Sequence, residues 1–486
     1  MIEHITTAAG CCRFAVGSCD ITPSVGTYHR MWGAAAHDRS TGVHRPLRAS
    51  ALVIADVDSA TAEPPLILVA LDHCLLRDPD MRSLRTLVTT QCQLPDDRLL
   101  ITFSHTHAAG LMETNREDLP GGDRIAGYLE QMGRRVADLV AQVLTELTPA
   151  VITCGKAHCD LAAHRDMYDQ DSQQWVCGYN PEGPVDDQVL VARVTDADGQ
   201  ALAVLVNYAC HPTTLAWDNT LVSPDFPGAM REVVETHVGA PCVFLQGASG
   251  DIGPRHGFVG DVAVADANGR QLGFAVLSAL ESLPPPRTHF HYAGPVVSGA
   301  TIGVWEHRDW DAEQLRLASR FRTRQWTVDL PYRAGLPTVD AIREERSQWE
   351  SGERKALDAD DPQRAQQCRA MIERQDRSLI KLRDLPPGAA FPFVVTVCQV
   401  GSLVWVLLEG EPYQLLQRKL RQMFPSVTIC VVTLVNGSRC SYLPTRDVYD
   451  SGIYQESIAV LAAGCLESLT DSIAGCLMDW SVSRGE

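Results

Sequence analysis

No stretch of the chain approaches the roughly 18 consecutive apolar residues that a membrane-spanning helix needs. Positive charge is also in short supply, because the 486 residues carry a formal net charge of −18. Nucleic acids and anionic membranes are bound through a surplus of Lys and Arg, so neither is expected as a partner. The cations present are nearly all Arg, a bias that GC-rich coding explains without any binding role. There is no Cys-x-x-Cys pair among the 16 cysteines, and several lie inside apolar runs (Cys210, Cys242, Cys430). The opening residues Met1-Ile2-Glu3-His4 include an early acid and no apolar stretch, unlike a signal peptide. These absences lead us to expect a bacterial, cytoplasmic protein without stable membrane association, its cysteines serving as small buried hydrophobes.

What is present is ordinary for a globular enzyme, with 45% hydrophobic and 21% charged residues. The length exceeds the roughly 250–300 residues at which a single core stops growing, so two lobes are expected. Leu66–Leu71, Leu99–Phe103, Ala203–Tyr208 and Cys242–Leu245 are short, continuous and apolar, the pattern of strands buried on both faces. Ile125, Leu129, Met132, Val136, Leu139, Val140 and Val143 recur at helical spacing. A second helix is predicted after Asp225, with Pro227 in its first turn and Gly239 as its stop. From about Trp305 to Leu385, Glu, Arg, Gln and Asp dominate, and solvated helices are favoured there over a lid or an oligomer contact. Strands are predicted again at Val404–Leu408 and Val427–Val435, followed by one amphipathic helix over about Gln455–Met478. The expected fold is α/β, a mixed β-sheet core flanked by helices. Its segments are a catalytic lobe over residues 1–304, a charged helical insertion over 305–387, and a region over 388–486 that completes the first lobe.

Four polar islands each follow or end an apolar run: Ser-His-Thr-His at 104–107, Cys-His-Pro at 210–212, Gly-Glu-Pro at 410–412 and Ser-Tyr at 441–442. Two imidazoles, a carboxylate and a phenol suit one divalent metal, zinc first, since zinc accepts nitrogen and oxygen donors. At a strand's period of two, His105 and His107 would face the same side, so that one could bind metal and the other sit beside it. Pro212 keeps His211 out of a helical backbone. Glu409 competes with Glu411, and spacing alone does not choose between them; Pro412 reads as the first residue of a helix. The loop Gly247-Ala248-Ser249-Gly250-Asp251-Ile252-Gly253-Pro254 lacks the Lys of a phosphate-binding loop, and close backbone approach to a metal site explains its glycines equally well.

Taken in order, GSCDIT (17–22), SHTH (104–107), NYACHP (207–212), SPDFPG (223–228), GASGD (247–251), Gly410-Glu411 and SYLPT (441–445) resemble the neutral/alkaline non-lysosomal ceramidase family. The resemblance implies one zinc per chain on His105, His211, Glu411 and Tyr442. It further implies His107 as the general acid/base and Arg165 and Tyr454 as substrate-side groups. Two departures stand out: Gly253 occupies the position where ceramidases carry a catalytic Ser, and the export signal and C-terminal β-sandwich of secreted ceramidases are not expected here.

These readings lead to a zinc-dependent amidohydrolase, ceramidase-like, that cleaves an N-acyl bond of a small soluble metabolite with metal-activated water. The alternatives are a neutral ceramidase acting on N-acylsphingosine, an amide-forming or cyclising biosynthetic enzyme, and a non-catalytic metal-binding protein. The partner expected is a small-molecule amide, with room for a homo-oligomer.

Overall fold

The computed structural model describes residues 4–58 and 63–482; Met1–Glu3, used above in reading the N-terminus, lie outside them. Its centre is an eight-stranded mixed sheet. The strand order is Cys242–Gln246, Ala201–Tyr208, Gln188–Thr195, Thr148–His158, Ala8–Asp20, Arg48–Ala55, Leu66–Leu71 and Leu99–Phe103. The two outermost pairs are parallel and the inner ones antiparallel. Alternation along each strand sends one set of side chains to each face. On one face, Ala15, Val53, Val69 and Ile101 pack under the helices Asp78–Cys92 and Ile125–Leu144, and Val191, Val206 and Phe244 under Phe226–Val238 and Val262–Glu281.

The other face, carrying Phe14, Leu52, Ile152, Leu205 and Leu245, meets a second sheet through Val400, Trp405, Leu407 and Val432. That sheet runs Phe321–Pro331, Ala390–Val400, Leu403–Leu408, Thr428–Val432, and its outer face is closed by the helices Leu415–Met423 and Cys465–Val482. The molecule is thus layered helix, sheet, sheet, helix. Of the cysteines, all but Cys19, Cys92 and Cys177 are buried, and all are free. Among the described residues, no helix is long and apolar enough to cross a membrane.

Several local expectations change. The charged segment does contain two long helices, Val339–Asp358 and Pro362–Asp384, but Phe321–Pro331 before them is a strand. It is an edge strand whose alternation is masked by Arg322 and Arg324, which lie over Trp480 and Trp326. Glu411–Pro412 forms a short strand beside Tyr442–Leu443, and the next helix begins only at Leu415. The single helix expected over 455–478 is two, Tyr454–Ile458 and Cys465–Val482, interrupted before Gly464, whose φ of 92° no helix accepts.

Candidate metal centre

The two sheets are stitched together at the carboxyl ends of their strands. Thr102 Oγ1 donates to the Thr433 carbonyl at 2.8 Å, Asn207 Nδ2 to the Leu245 and Val431 carbonyls at 3.0 and 2.8 Å, and the Thr433 amide to the Gln246 carbonyl at 2.9 Å. Chain leaving Phe103, Tyr208, Gln246 and Leu408 therefore emerges at one place, which is where open α/β sheets bind ligands.

His105 follows the strand Leu99–Phe103 with φ at 68°, so the strand has already ended and the period of two does not apply. The rings of His105 and His107 are nonetheless neighbours, 5.0 Å apart, because the left-handed residue turns the chain back on itself. His105 Nδ1 donates to the Cys74 carbonyl at 2.7 Å and His211 Nδ1 to the Ser249 carbonyl at 2.8 Å. A carbonyl can only accept, so Nδ1 of each ring carries a proton and Nε2 is the atom left to face a cation. The two Nε2 atoms are 3.1 Å apart. Glu411 Oε2 lies 3.4 Å from His105 Nε2 and 3.3 Å from that of His211. The Tyr442 hydroxyl is 3.3 Å from His211 Nε2.

These separations test whether a metal fits. Zinc bonds to N and O are about 2.0–2.1 Å, and the edge of a tetrahedron with such arms is about 3.3 Å. His105, His211 and Glu411 meet that edge length with buried, correctly oriented donors, and can hold a divalent metal. A second group, Cys74, His105 and His107, overlaps it, but His105 Nδ1 there already serves the Cys74 carbonyl. Glu409 is removed as a competitor because Arg439 holds both its oxygens at 2.9 Å.

The electrostatics express the same demand for a cation. Burial opposes ionisation of Glu411, yet the His105 and His211 imidazoles hold it well below the usual carboxylate range. Burial likewise opposes a charge on His105, but Cys74 and Glu411 outweigh it and raise the imidazole. Burial and then Arg165 bring His211 down to about 3.

Around this cluster lies a cavity of about 230 Å³, with His105, His107, Glu411, Tyr442 and Tyr454 in its wall. His107 packs against Trp32 at 5.2 Å, and its buried Nε2 has no hydrogen-bond partner in the described residues. Burial and the His105 and His211 imidazoles lower its pKa well below the usual value, so it is neutral. Arg165 is buried behind Tyr442, its guanidinium 5.3 Å from the ring centre and Nη2 donating to the Gly250 carbonyl at 2.6 Å. Tyr454, 46% exposed, stands edge-on to Tyr442 at 6.2 Å.

The glycine loop behaves as backbone clearance, since a Cβ on Gly250 would lie 2.6 Å from the Glu411 carbonyl oxygen. Ser249 Oγ accepts from Gln246 Nε2 at 2.6 Å and sits on the Nδ1 side of His211, away from the imidazole Nε2 atoms. A Cβ on Gly253 would meet only Thr213 Oγ1 at 3.7 Å and Arg165 Cδ at 3.8 Å, so a serine would fit. Sequence reading missed the Cys74 carbonyl that orients His105. It also missed one face of the helix Pro362–Asp384, where Ala370, Arg374, Arg377 and Lys381 line the cavity. The 4-3-4 spacing of those four residues was the available signal.

A layered α/β fold with this donor cluster at its strand ends defines a metal-dependent hydrolase. Residues 13–259 match the model of the neutral/alkaline non-lysosomal ceramidase N-terminal region, and the chain belongs to that family. Its enzymes act on carbon–nitrogen bonds, and so does this chain. The fold is similar to the neutral ceramidase of Pseudomonas aeruginosa, with a TM-score of 0.61 and 15% identity over 96% of this chain and 73% of that one. It is also similar to a ceramidase complexed with C2, with a TM-score of 0.60 and 14% identity over 96% and 74%. No curated protein sequence matches the chain.

Proposed function

We propose that the chain hydrolyses the amide bond of an N-acyl compound using one zinc ion held by His105, His211, Glu411 and Tyr442. The observation that carries this is the set of three donor atoms 3.1–3.4 Å apart, with both imidazoles pinned through Nδ1. Among substrates, family membership favours N-acylsphingosine over the small soluble metabolite expected from the sequence. The cavity supports the smaller amide as a second reading, since about 230 Å³ falls below the roughly 300–1,000 Å³ typical of pockets for drug-sized ligands.

A bound zinc supplies Lewis acidity and water of lowered pKa near neutrality. His107, neutral with Nε2 unpartnered, accepts a proton from the attacking water and returns it to the departing nitrogen. Tyr454, exposed at the cavity wall, hydrogen-bonds the developing oxyanion, and Arg165 supports it from behind Tyr442. Ser249 orients His211 and forms no acyl-enzyme, because its hydroxyl is engaged on the far side of that ring.

The test is fatty-acid release from N-acylsphingosine and from short N-acyl amino acids by zinc-loaded protein. Hydrolysis of either class supports the reading and ranks the substrates. A folded protein with full zinc content that cleaves neither contradicts it.

A further inference from the structure

We propose that the substrate carries an anionic group, a carboxylate or a phosphate, received by Arg374, Arg377 and Lys381 on the helix Pro362–Asp384. The inference rests on the amidohydrolase reading and names the substrate class of that same cavity.

The protein is acidic overall, at −18, yet the cavity wall is not. Four cations line it, Arg77, Arg374, Arg377 and Lys381, against two carboxylates, Glu373 and Glu411. Both carboxylates are committed. Glu411 belongs to the metal cluster, and Glu373 pairs with Arg116 at 3.1 Å and Arg369 at 3.5 Å. Among the described residues, Arg77 alone of these cations forms an ion pair, with Glu113 at 3.1 Å. Lys381 Nζ donates to the Ile458 carbonyl at 2.7 Å and Arg377 to the Met31 carbonyl. Those hydrogen bonds anchor the side chains, and their charges are offset only at a distance, that of Arg377 by Glu373 and that of Lys381 by Glu411, with no direct ion pair. Arg377 Nε is buried without a partner, and among the described residues no acceptor meets the Arg374 side chain, exposed at the mouth.

Packing like charges along one helix face costs stability unless something offsets it. Burial, followed by Arg77, lowers the Lys381 ammonium to about 7, so the cluster strains toward losing a charge. An anion in the cavity would relieve this, with the guanidinium forks matching a carboxylate or phosphate. The same anion would hold the amide of the substrate against the metal cluster. An N-acyl amino acid and a phosphorylated N-acylsphingoid base share this chemistry.

Two matched pairs separate the sources on zinc-loaded protein: N-dodecanoylglycine against its neutral glycinamide, and N-acylsphingosine 1-phosphate against N-acylsphingosine. Removing a charge-assisted hydrogen bond from each of two side chains should change discrimination by about 10-fold or more. In at least one pair, kcat/KM should favour the anion by about 10-fold, and the anion-to-neutral ratio should fall by a similar factor in the Arg374→Gln/Lys381→Met double variant, chiefly through KM. The pair that responds identifies the source. Equal or better cleavage of the neutral member in both pairs overturns the anion site and leaves the amidohydrolase reading intact. If none of the four is cleaved, that reading fails, and calorimetry of N-dodecanoylglycine on the same proteins decides the anion site alone. Binding that is abolished in the double variant supports it; no binding to the parent overturns it.

Discussion

His107 is set apart from His105 and His211 by a buried Nε2 that has no hydrogen-bond partner among the described residues. That makes its proposed proton-transfer role separable from metal binding. In His107→Ala, zinc content should stay near that of the parent. Turnover of an amide should fall by about 10²–10⁴-fold, the usual worth of a positioned general acid/base, and that of an activated aryl ester much less. Equal losses on both substrates, or loss of zinc, would contradict the assignment. Ser249→Ala removes only a hydroxyl behind His211 and should keep most activity; a loss of about 100-fold with zinc intact would return that hydroxyl to the chemistry. The residues of the candidate cluster were legible in the sequence because each stands at the end of an apolar run. What could not be read was the left-handed backbone at His105, with φ at 68°, and the Arg439 clamp that removes Glu409. Both depend on tertiary packing that leaves no local pattern.

At the scale of elements, continuous apolar runs announced the buried strands, and Leu66–Leu71 and Leu99–Phe103 fall where their runs do. Asp225 caps its helix as expected, accepting from the Phe226 amide at 2.6 Å. Charge-rich elements were harder, because a strand edged with Arg reads as exposed helix and a helix whose cationic face lines a cavity reads as solvated. The glycine loop connects this scale to the site. Gly250→Val should push the Glu411 strand away and lower metal content, since its Cβ cannot approach a carbonyl oxygen at 2.6 Å. Gly253→Ser, by contrast, places its Cβ at ordinary van der Waals distance from Thr213 and Arg165 and should fold with parental stability, as read by its thermal midpoint. If Gly253→Ser unfolds and Gly250→Val does not, the loop has been misread.

For the whole molecule, buried neutral histidines couple stability to pH. Burial lowers His29 and His73 from their ordinary 6.5 to about 4. The unfolded chain takes up protons as pH falls through 6.5, whereas the folded chain resists until about pH 4, so stability is lost over that window. Each group accounts for up to about 3 kcal/mol. Urea midpoints measured between pH 7 and 4 should fall accordingly, and His29→Gln should flatten the dependence by about one group's share. A pH-independent midpoint would contradict the buried, neutral state of these rings.

A metal held by the proposed cluster would join the two sheets in the folded state alone, because His105 and His211 extend from the first and Glu411 from the second. The most direct measurement is therefore elemental analysis of purified parent, His211→Ala and Glu411→Gln proteins, with circular dichroism to establish that each is folded. The account predicts about one zinc per parent chain, little or none in either variant, and a parent melting temperature that falls when a chelator removes the metal. Folded variants that retain the full parental zinc would contradict it.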